Sequence, residues 1–151
     1  MIRVIAIGKK HESWVTEGLE RYQKRLQKPW NIEWVLLPHS AQEGLTARQE
    51  ESGRILSRLD PLEYVVLLDE TGESLDSPAL SRLCEQVFVS GRPLTIVIGG
   101  AYGVDERLHA RAERVVSLSR LVFPHQLVRL ILAEQLYRAQ SIASGGRYHH
   151  E

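Results

Sequence analysis

Leu94-Thr95-Ile96-Val97-Ile98 runs straight into Gly99-Gly100-Ala101-Tyr102-Gly103, and Val104-Asp105-Glu106 follows at once. The first five residues are rich in β-branched side chains, as in a strand covered on both faces. The glycines mark a turn. The two carboxylates behind them suit the first turn of a helix, where the peptide dipole favours negative charge. A strand, a turn and a helix start in this order make a βα unit, the building block of a parallel sheet. The fold class then depends on whether the unit recurs on either side.

It recurs throughout. Further short apolar strands are expected at residues 3–8, Ile32–Leu37, 64–69 and 114–118, each bounded by Gly, Pro, Asp or Ser. Helical patterns alternate with them. Residues 12–27 carry Trp14, Val15, Leu19, Tyr22 and Leu26 at spacings of three and four, with Pro29 as a stop. Residues 46–59 are polar early and apolar late. Asp76-Ser77-Pro78 is a start signal, with Ser77 as N-cap and Pro78 at the first helical position. A short helix over 105–112 and a long one over His125–Ala143 complete the series. Five βα units predict an α/β fold, a doubly wound single domain over residues 1–151 with one mostly parallel sheet flanked by helices.

Composition narrows the class. With 43% hydrophobic and 25% charged residues, the 151-residue chain can bury a sizeable core, which excludes a disordered protein. No apolar run is long enough to span a bilayer, and Met1–Gly8 is too short for a signal h-region. The single cysteine, Cys84, excludes an internal disulfide framework and a multi-cysteine metal site, and its place among Leu80, Leu83 and Val87 marks it as core. No metal is expected, and a cytoplasmic location is. Formal charge is zero, but from Arg107 onward there are seven arginines against three acids, with four of the six histidines. Arginines in that number point to an anionic partner or to solvated helix faces.

In such sheets ligands sit outside the carboxyl ends of the strands. The glycine turn lies there, but it is neither G-x-G-x-x-G nor a Walker loop. Asp105-Glu106 and the acidic strand end Asp69-Glu70 would repel a diphosphate, so a cofactor here is one without it; otherwise the turn is only a turn. Ser117–Pro124 is apolar and extended where a polar loop belongs. It is either a sixth strand or backbone for a flat ligand. The last helix is apolar on more than one side, hence central or shared with a second subunit. Glu134 and Arg138 have the spacing of a surface ion pair. The ending Gly145-Gly146-Arg147-Tyr148-His149-His150 is a fraying tail or a hinged one that closes on RNA.

Read in order, Val97–Gly103, Ser117-Leu118-Ser119, Phe123-Pro124-His125-Gln126-Leu127-Val128-Arg129 and Ala133-Glu134-Gln135-Leu136-Tyr137-Arg138-Ala139 resemble the RlmH family of small SPOUT-class methyltransferases. Ile7-Gly8-Lys9-Lys10 through Trp14 and the closing Tyr148-His149 fit as well, so the likeness spans the chain. The resemblance implies S-adenosyl-L-methionine-dependent methylation of N3 of a pseudouridine in 23S rRNA, on the assembled ribosome. It also implies a homodimer and a C-terminal trefoil knot, a rare exception to unknotted topology. Carried over by motif, the donor contacts would be Leu68, Gly100, Ser119, Arg120, Leu121, Val122, Phe123 and Pro124. The catalytic set would be His125, Arg138, Tyr148 and His149, with the tail of one subunit closing over the other's cofactor. Two other classes share the strand count: a flavodoxin-like module binding flavin or nucleotide, and a ribosome-associated protein that keeps the fold without catalysis.

Overall fold

The computed structural model describes residues 1–150. The chain alternates β1 (Ile2–Ile7), α1 (Ser13–Gln23), β2 (Ile32–Leu37), α2 (Gly44–Leu56), β3 (Tyr64–Ser74), α3 (Ser77–Ser90), β4 (Leu94–Ile98), α4 (Glu106–Arg111), β5 (Arg114–Ser117) and α5 (His125–Ala143). All strand pairs are parallel, in the order β2-β1-β4-β3-β5. The register is continuous across the centre, with Val4 opposite Trp34 on one side and Ile96 on the other. A flavodoxin-like sheet would place β3 beside β1. Here β4 takes that place and β3 stands one strand further out.

Alternation along the strands builds two cores. Ile2, Val4 and Ala6 of β1, with Ile96 and Ile98 of β4, meet Leu83 and Val87 of α3 and Leu132 and Leu136 of α5. Ile5, Ile7, Val65, Leu67 and Val97 face the other way, onto Ile55 of α2 and Leu108 of α4. Thus α3 and α5 cover one face and α2 and α4 the other, while α1 packs on α5 through Val15, Leu19 and Ala133. Leu132 and Leu136 are fully closed off, each contributing about 1.5–3 kcal/mol through burial. Most of α5's apolar surface is thus used inside the single chain, whereas Leu127 and Ile131 stay partly exposed, Ile131 on the wall of a cleft.

Several local expectations need correction. The N-cap of α3 is Asp76, whose carboxylate accepts from the Ala79 N–H at 2.8 Å; the Ser77 hydroxyl instead donates to Gln135 on α5 at 2.7 Å. Helix α1 ends at Gln23, and Trp14 leaves the packed face, remaining 48% exposed. Strand β3 runs five residues past Asp69, with an irregularity between Leu68 and Glu73 where both oppose Val116. Gly72 permits this, because a Cβ there would stand 2.7 Å from the Val115 backbone. No sixth strand forms over residues 118–124. The basic C-terminal segment is largely committed internally: Arg107 pairs with Asp105, Arg111 with Glu113, Arg114 with Glu73 and Arg138 with Glu134, while Arg129 is buried.

Candidate functional site

The carboxyl ends of β3, β4 and β5 open into a cleft of about 730 Å³, within the size range of small-molecule sites. Three walls come from the segments singled out in the sequence. The prolonged β3 contributes Leu68 and then Asp69, Glu70 and Thr71, held in a tight bend by the Asp69 carboxylate, which accepts from the Thr71 N–H at 3.0 Å. The second wall is the turn Gly99–Gly103. It closes through the Gly103 N–H, which donates to Gly100 O at 3.0 Å. The third is Leu118, Ser119, Leu121, Val122 and Phe123, followed by His125 and Val128.

Helix α2 fixes the glycine turn from behind. Arg48 Nε donates to Tyr102 O at 2.7 Å, and the Asp105 N–H donates to Ser52 Oγ at 2.9 Å. Asp105 then caps α4 by accepting from the N–H groups of Arg107 and Leu108. Burial pushes the Asp105 carboxyl up, but the Arg107 guanidinium and the two amide donors outweigh it and hold it below the ordinary range. The start of α4 is thus already occupied by its own carboxylate, so the turn has no cradle for a diphosphate. Gly100 leaves the space that Glu51 Oε1 fills, so a side chain there would have to displace the Glu51 carboxylate or move the turn.

Of the donor contacts named in the sequence, Leu68, Gly100, Ser119, Leu121, Val122 and Phe123 line the cleft; Arg120 and Pro124 are exposed beside it and are not on its wall. Leu121 and Val122 are 72% and 75% exposed, a pair of apolar side chains at its mouth. Ser119 shapes the loop, its hydroxyl accepting from the Leu121 N–H at 3.0 Å and its carbonyl from the Ser117 hydroxyl at 2.8 Å. Acid groups at the rim, Asp69, Glu70 and Glu106, favour a cationic guest, with His109 3.5 Å from the Asp69 carboxylate.

The four residues expected to act on an acceptor fall into two places. His125, at the start of α5, lines the cleft. Burial, with the nearby His39 and Arg129, holds its imidazole below the ordinary range, so it is neutral and able to accept a proton at neutral pH. Arg138, Tyr148 and His149 form the second group. The Arg138 guanidinium donates to Glu134 at 2.8 Å, lies 3.2 Å from His149 Nδ1 and sits 4.7 Å over the Tyr148 ring. The hydrogen bond to Glu134 raises the Arg138 pKa. Burial and the Glu134 charge raise that of Tyr148, which keeps the phenol protonated as a donor rather than a base. The expected surface pair Glu134–Arg138 is in fact half-buried and anchors the tail. His149 lines a second cleft of about 630 Å³, between the start of α3, the end of β5 and α5. In a single chain, therefore, His125 faces the first cleft, and of the other three His149 alone is on a cleft wall, that of the second.

Two residues beside the site escaped the sequence reading. Arg129 is fully buried; its guanidinium donates to Ile7 O at 2.9 Å, Gly8 O at 3.2 Å and Lys10 O at 3.0 Å, fastening the end of β1. Its position one turn after His125 and one turn before Ala133 was the available signal. Glu51 is buried on α2 within a polar stretch that carries no pattern to reveal it.

Similarity agrees with the architecture. A family model described as "Predicted SPOUT methyltransferase" matches residues 1–149. Proteins named Ribosomal RNA large subunit methyltransferase H are 39% identical in Geotalea daltonii, covering 99% of both chains, and 42% identical in Alkalilimnicola ehrlichii, covering 98% of this chain and 97% of that one. The crystal structure of a "Probable Methyltransferase" from Bordetella pertussis Tohama I superposes with a TM-score of 0.55 at 16% identity, over 91% of this chain and 95% of that one, and so shares the fold. Among the described residues no His, Cys, Asp and Glu group suited to a metal occurs, and no helix is long and apolar enough to cross a membrane. Since the family match runs from the first strand through the tail and takes in every wall of the cleft, the chain belongs to the SPOUT methyltransferase family.

Proposed function

We propose that this protein methylates N3 of a pseudouridine in 23S rRNA on the assembled ribosome, using S-adenosyl-L-methionine, and that it works in the cytoplasm as a homodimer. The observation that carries the reading is the chemistry of the main cleft: apolar side chains and a glycine turn below, carboxylates at the rim, and no phosphate cradle. Those features fit a flat adenine, a ribose and a cationic sulfonium. Leu68, Gly100 and the loop Ser119-Arg120-Leu121-Val122-Phe123-Pro124 would hold the donor. When bound, S-adenosyl-L-methionine supplies an electrophilic methyl carbon and leaves as a neutral thioether.

The chain's own task is to bring the acceptor nitrogen in line with that carbon and to manage its proton. Positioning of this kind accounts for much of the acceleration available to a methyl transfer. His125, kept neutral by burial, suits proton acceptance; Arg138, fully charged, suits the anion left on the ring. Tyr148 and His149 supply a hydrogen-bond donor and a stacking surface beside Arg138. Because these three lie apart from His125 within one chain, the tail of one subunit is assigned to the cleft of the other. A trefoil knot belongs to the same reading, supported by the return of β5 to the outer side of β3 after β4 is laid down inside it.

The test is transfer of labelled methyl from S-adenosyl-L-methionine to intact ribosomes lacking the modification, followed by mapping of the labelled nucleotide. Label on N3 of a 23S pseudouridine is the expected result. Donor binding without transfer to ribosomes or free RNA would favour a protein that keeps the fold without the reaction. A tightly held flavin or nucleotide would favour the binding module.

A further inference from the structure

A block of free positive charge lies at the end of α1 and in the turn after it. Residues 21–28, Arg21-Tyr22-Gln23-Lys24-Arg25-Leu26-Gln27-Lys28, hold four cations and no acid in a chain of zero formal charge. All four cations are exposed. None of them makes an ion pair among the described residues, although Glu17 and Glu20 stand earlier on the same helix. The carbonyl end of a helix attracts cations, which explains a charge or two in its last turn. It does not explain what these charges stand beside.

Next to them is a row of half-buried aromatic rings drawn from three segments. Tyr22 of α1 meets Tyr137 of α5 at 6.1 Å between ring centroids, and Tyr137 meets Tyr148 of the tail at 4.7 Å. Guanidinium groups lie over two of the rings, Arg25 at 6.0 Å from that of Tyr137 and Arg138 at 4.7 Å from that of Tyr148. Hydrogen bonds tie the segments together. Gln140 of α5 accepts from the Gln27 N–H at 2.8 Å and donates to Arg25 O at 3.0 Å, while the Gly146 N–H donates to Ser141 O at 2.7 Å. Aromatic and guanidinium planes edged with free cations suit a single RNA strand, whose bases stack on the planes and whose phosphates meet the charges.

We infer that the end of α1 and this row form the docking surface for the 23S strand that flanks the target nucleotide. This rests on the methyl-transfer reading, in which Arg138, Tyr148 and His149 meet the acceptor base. The row leads from that group to α1, so the strand beside the acceptor passes over Tyr137 and Tyr22. Its phosphates pair with Arg21, Lys24, Arg25 and Lys28, and a flanking base stacks on Tyr22. A second copy of the chain fits this surface less well, because a subunit interface would have to bury four cations that bring no carboxylate with them.

The experiment measures affinity for ribosomes lacking the modification as a function of salt, and methyl transfer to the same ribosomes. The proteins are the wild type, the triple variant R21Q/K24Q/R25Q, Tyr22→Leu and Tyr22→Phe. Each phosphate contact on a single strand contributes about 0.7 to the slope of log affinity against log salt, so the triple variant should flatten that slope by about two. Its KM for ribosomes should rise about tenfold or more, while kcat and donor affinity change less than about threefold. Y22L should raise KM about fivefold, and Y22F, which keeps the ring, should stay near the wild type. An unchanged salt slope in the triple variant marks a solvated helix face and overturns the inference, as does an unchanged KM in Y22L. A triple variant that sediments as a monomer with its slope intact assigns the surface to a second subunit and overturns it too. Should Y22L fail to fold, the triple variant decides alone, because its three side chains are exposed. Failure of the wild type to methylate the ribosomes it binds would instead remove the methyl-transfer reading itself.

Discussion

Arg129 is the largest side chain completely enclosed by the protein, and it carries a charge. Its planar fork reaches three carbonyls, those of Ile7, Gly8 and Lys10, where β1 ends and ladder hydrogen bonds stop. Gly8, at φ +120°, lets the backbone turn under it, and a Cβ there would stand 2.8 Å from Arg129 Nη2. Arg129→Met keeps the volume but strands the carbonyls, so stability should fall by on the order of 3 kcal/mol, seen as a lower urea midpoint at unchanged m-value. A loss below about 0.5 kcal/mol would mean that water replaces the guanidinium without cost. Gly100→Ala acts on the ligand instead. The new methyl group meets the Glu51 carboxylate, so that side chain or the turn has to shift, and donor affinity should drop about tenfold or more in calorimetry while the unfolding midpoint moves little. An unchanged affinity would detach the glycine turn from donor binding. Sequence marked Gly100 as a donor contact and offered only a positional hint for Arg129, which stands between Val128 and Leu130 in an apolar helix; the partners were out of reach, Glu51 lying 49 residues from Gly100 and the carbonyls of Ile7 to Lys10 more than 115 from Arg129.

At the scale of elements, the sheet is also pinned at its amino end, far from the cleft. Glu113, between α4 and β5, accepts from the Val65 N–H at 2.6 Å and pairs with Arg92 at 2.9 Å and Arg111 at 3.1 Å. Burial raises its pKa, but the amide donor and the two guanidinium groups prevail and leave it lowered. A carboxyl depressed in the folded state stabilises fully above its unfolded pKa, near 4.3, and that contribution is lost as pH falls through the folded value. Glu113→Gln should therefore cost on the order of 1 kcal/mol at neutral pH, and the gap from wild type should close as pH falls through the lowered folded-state pKa. Urea midpoints across that range check it, and a gap independent of pH would assign the loss to packing. Elements of this kind were legible where periodicity alone sets them: β2, β4 and α5 have the bounds their patterns predict. They were misread where a distant partner decides. The extension of β3 depends on Gly72 meeting β5, and the cap of α3 on Asp76 being free while Ser77 turns to α5.

For the whole molecule, alternation of strands and helices was enough for the class, whereas the neighbours in the sheet follow from long-range packing that no local pattern encodes. The same limit applies to the site. Sequence marked both groups of candidate residues, but only the fold shows that His125 faces the main cleft while Arg138, Tyr148 and His149 gather beside the second. A two-fold dimer in which tails cross reunites them; one in which each tail serves its own chain does not. Mixing two inactive variants separates these cases. Let His125→Ala keep its tail and Tyr148→Ala keep its cleft. In a crossed heterodimer, one site joins an intact cleft to an intact tail and the other combines both defects. After denaturation and co-refolding in equal amounts, about half the dimers are mixed and each holds one sound site, so activity should recover to about one quarter of wild type. If each tail closed on its own cleft, every site in every dimer would carry one defect, and the mixture would stay as inactive as its parents.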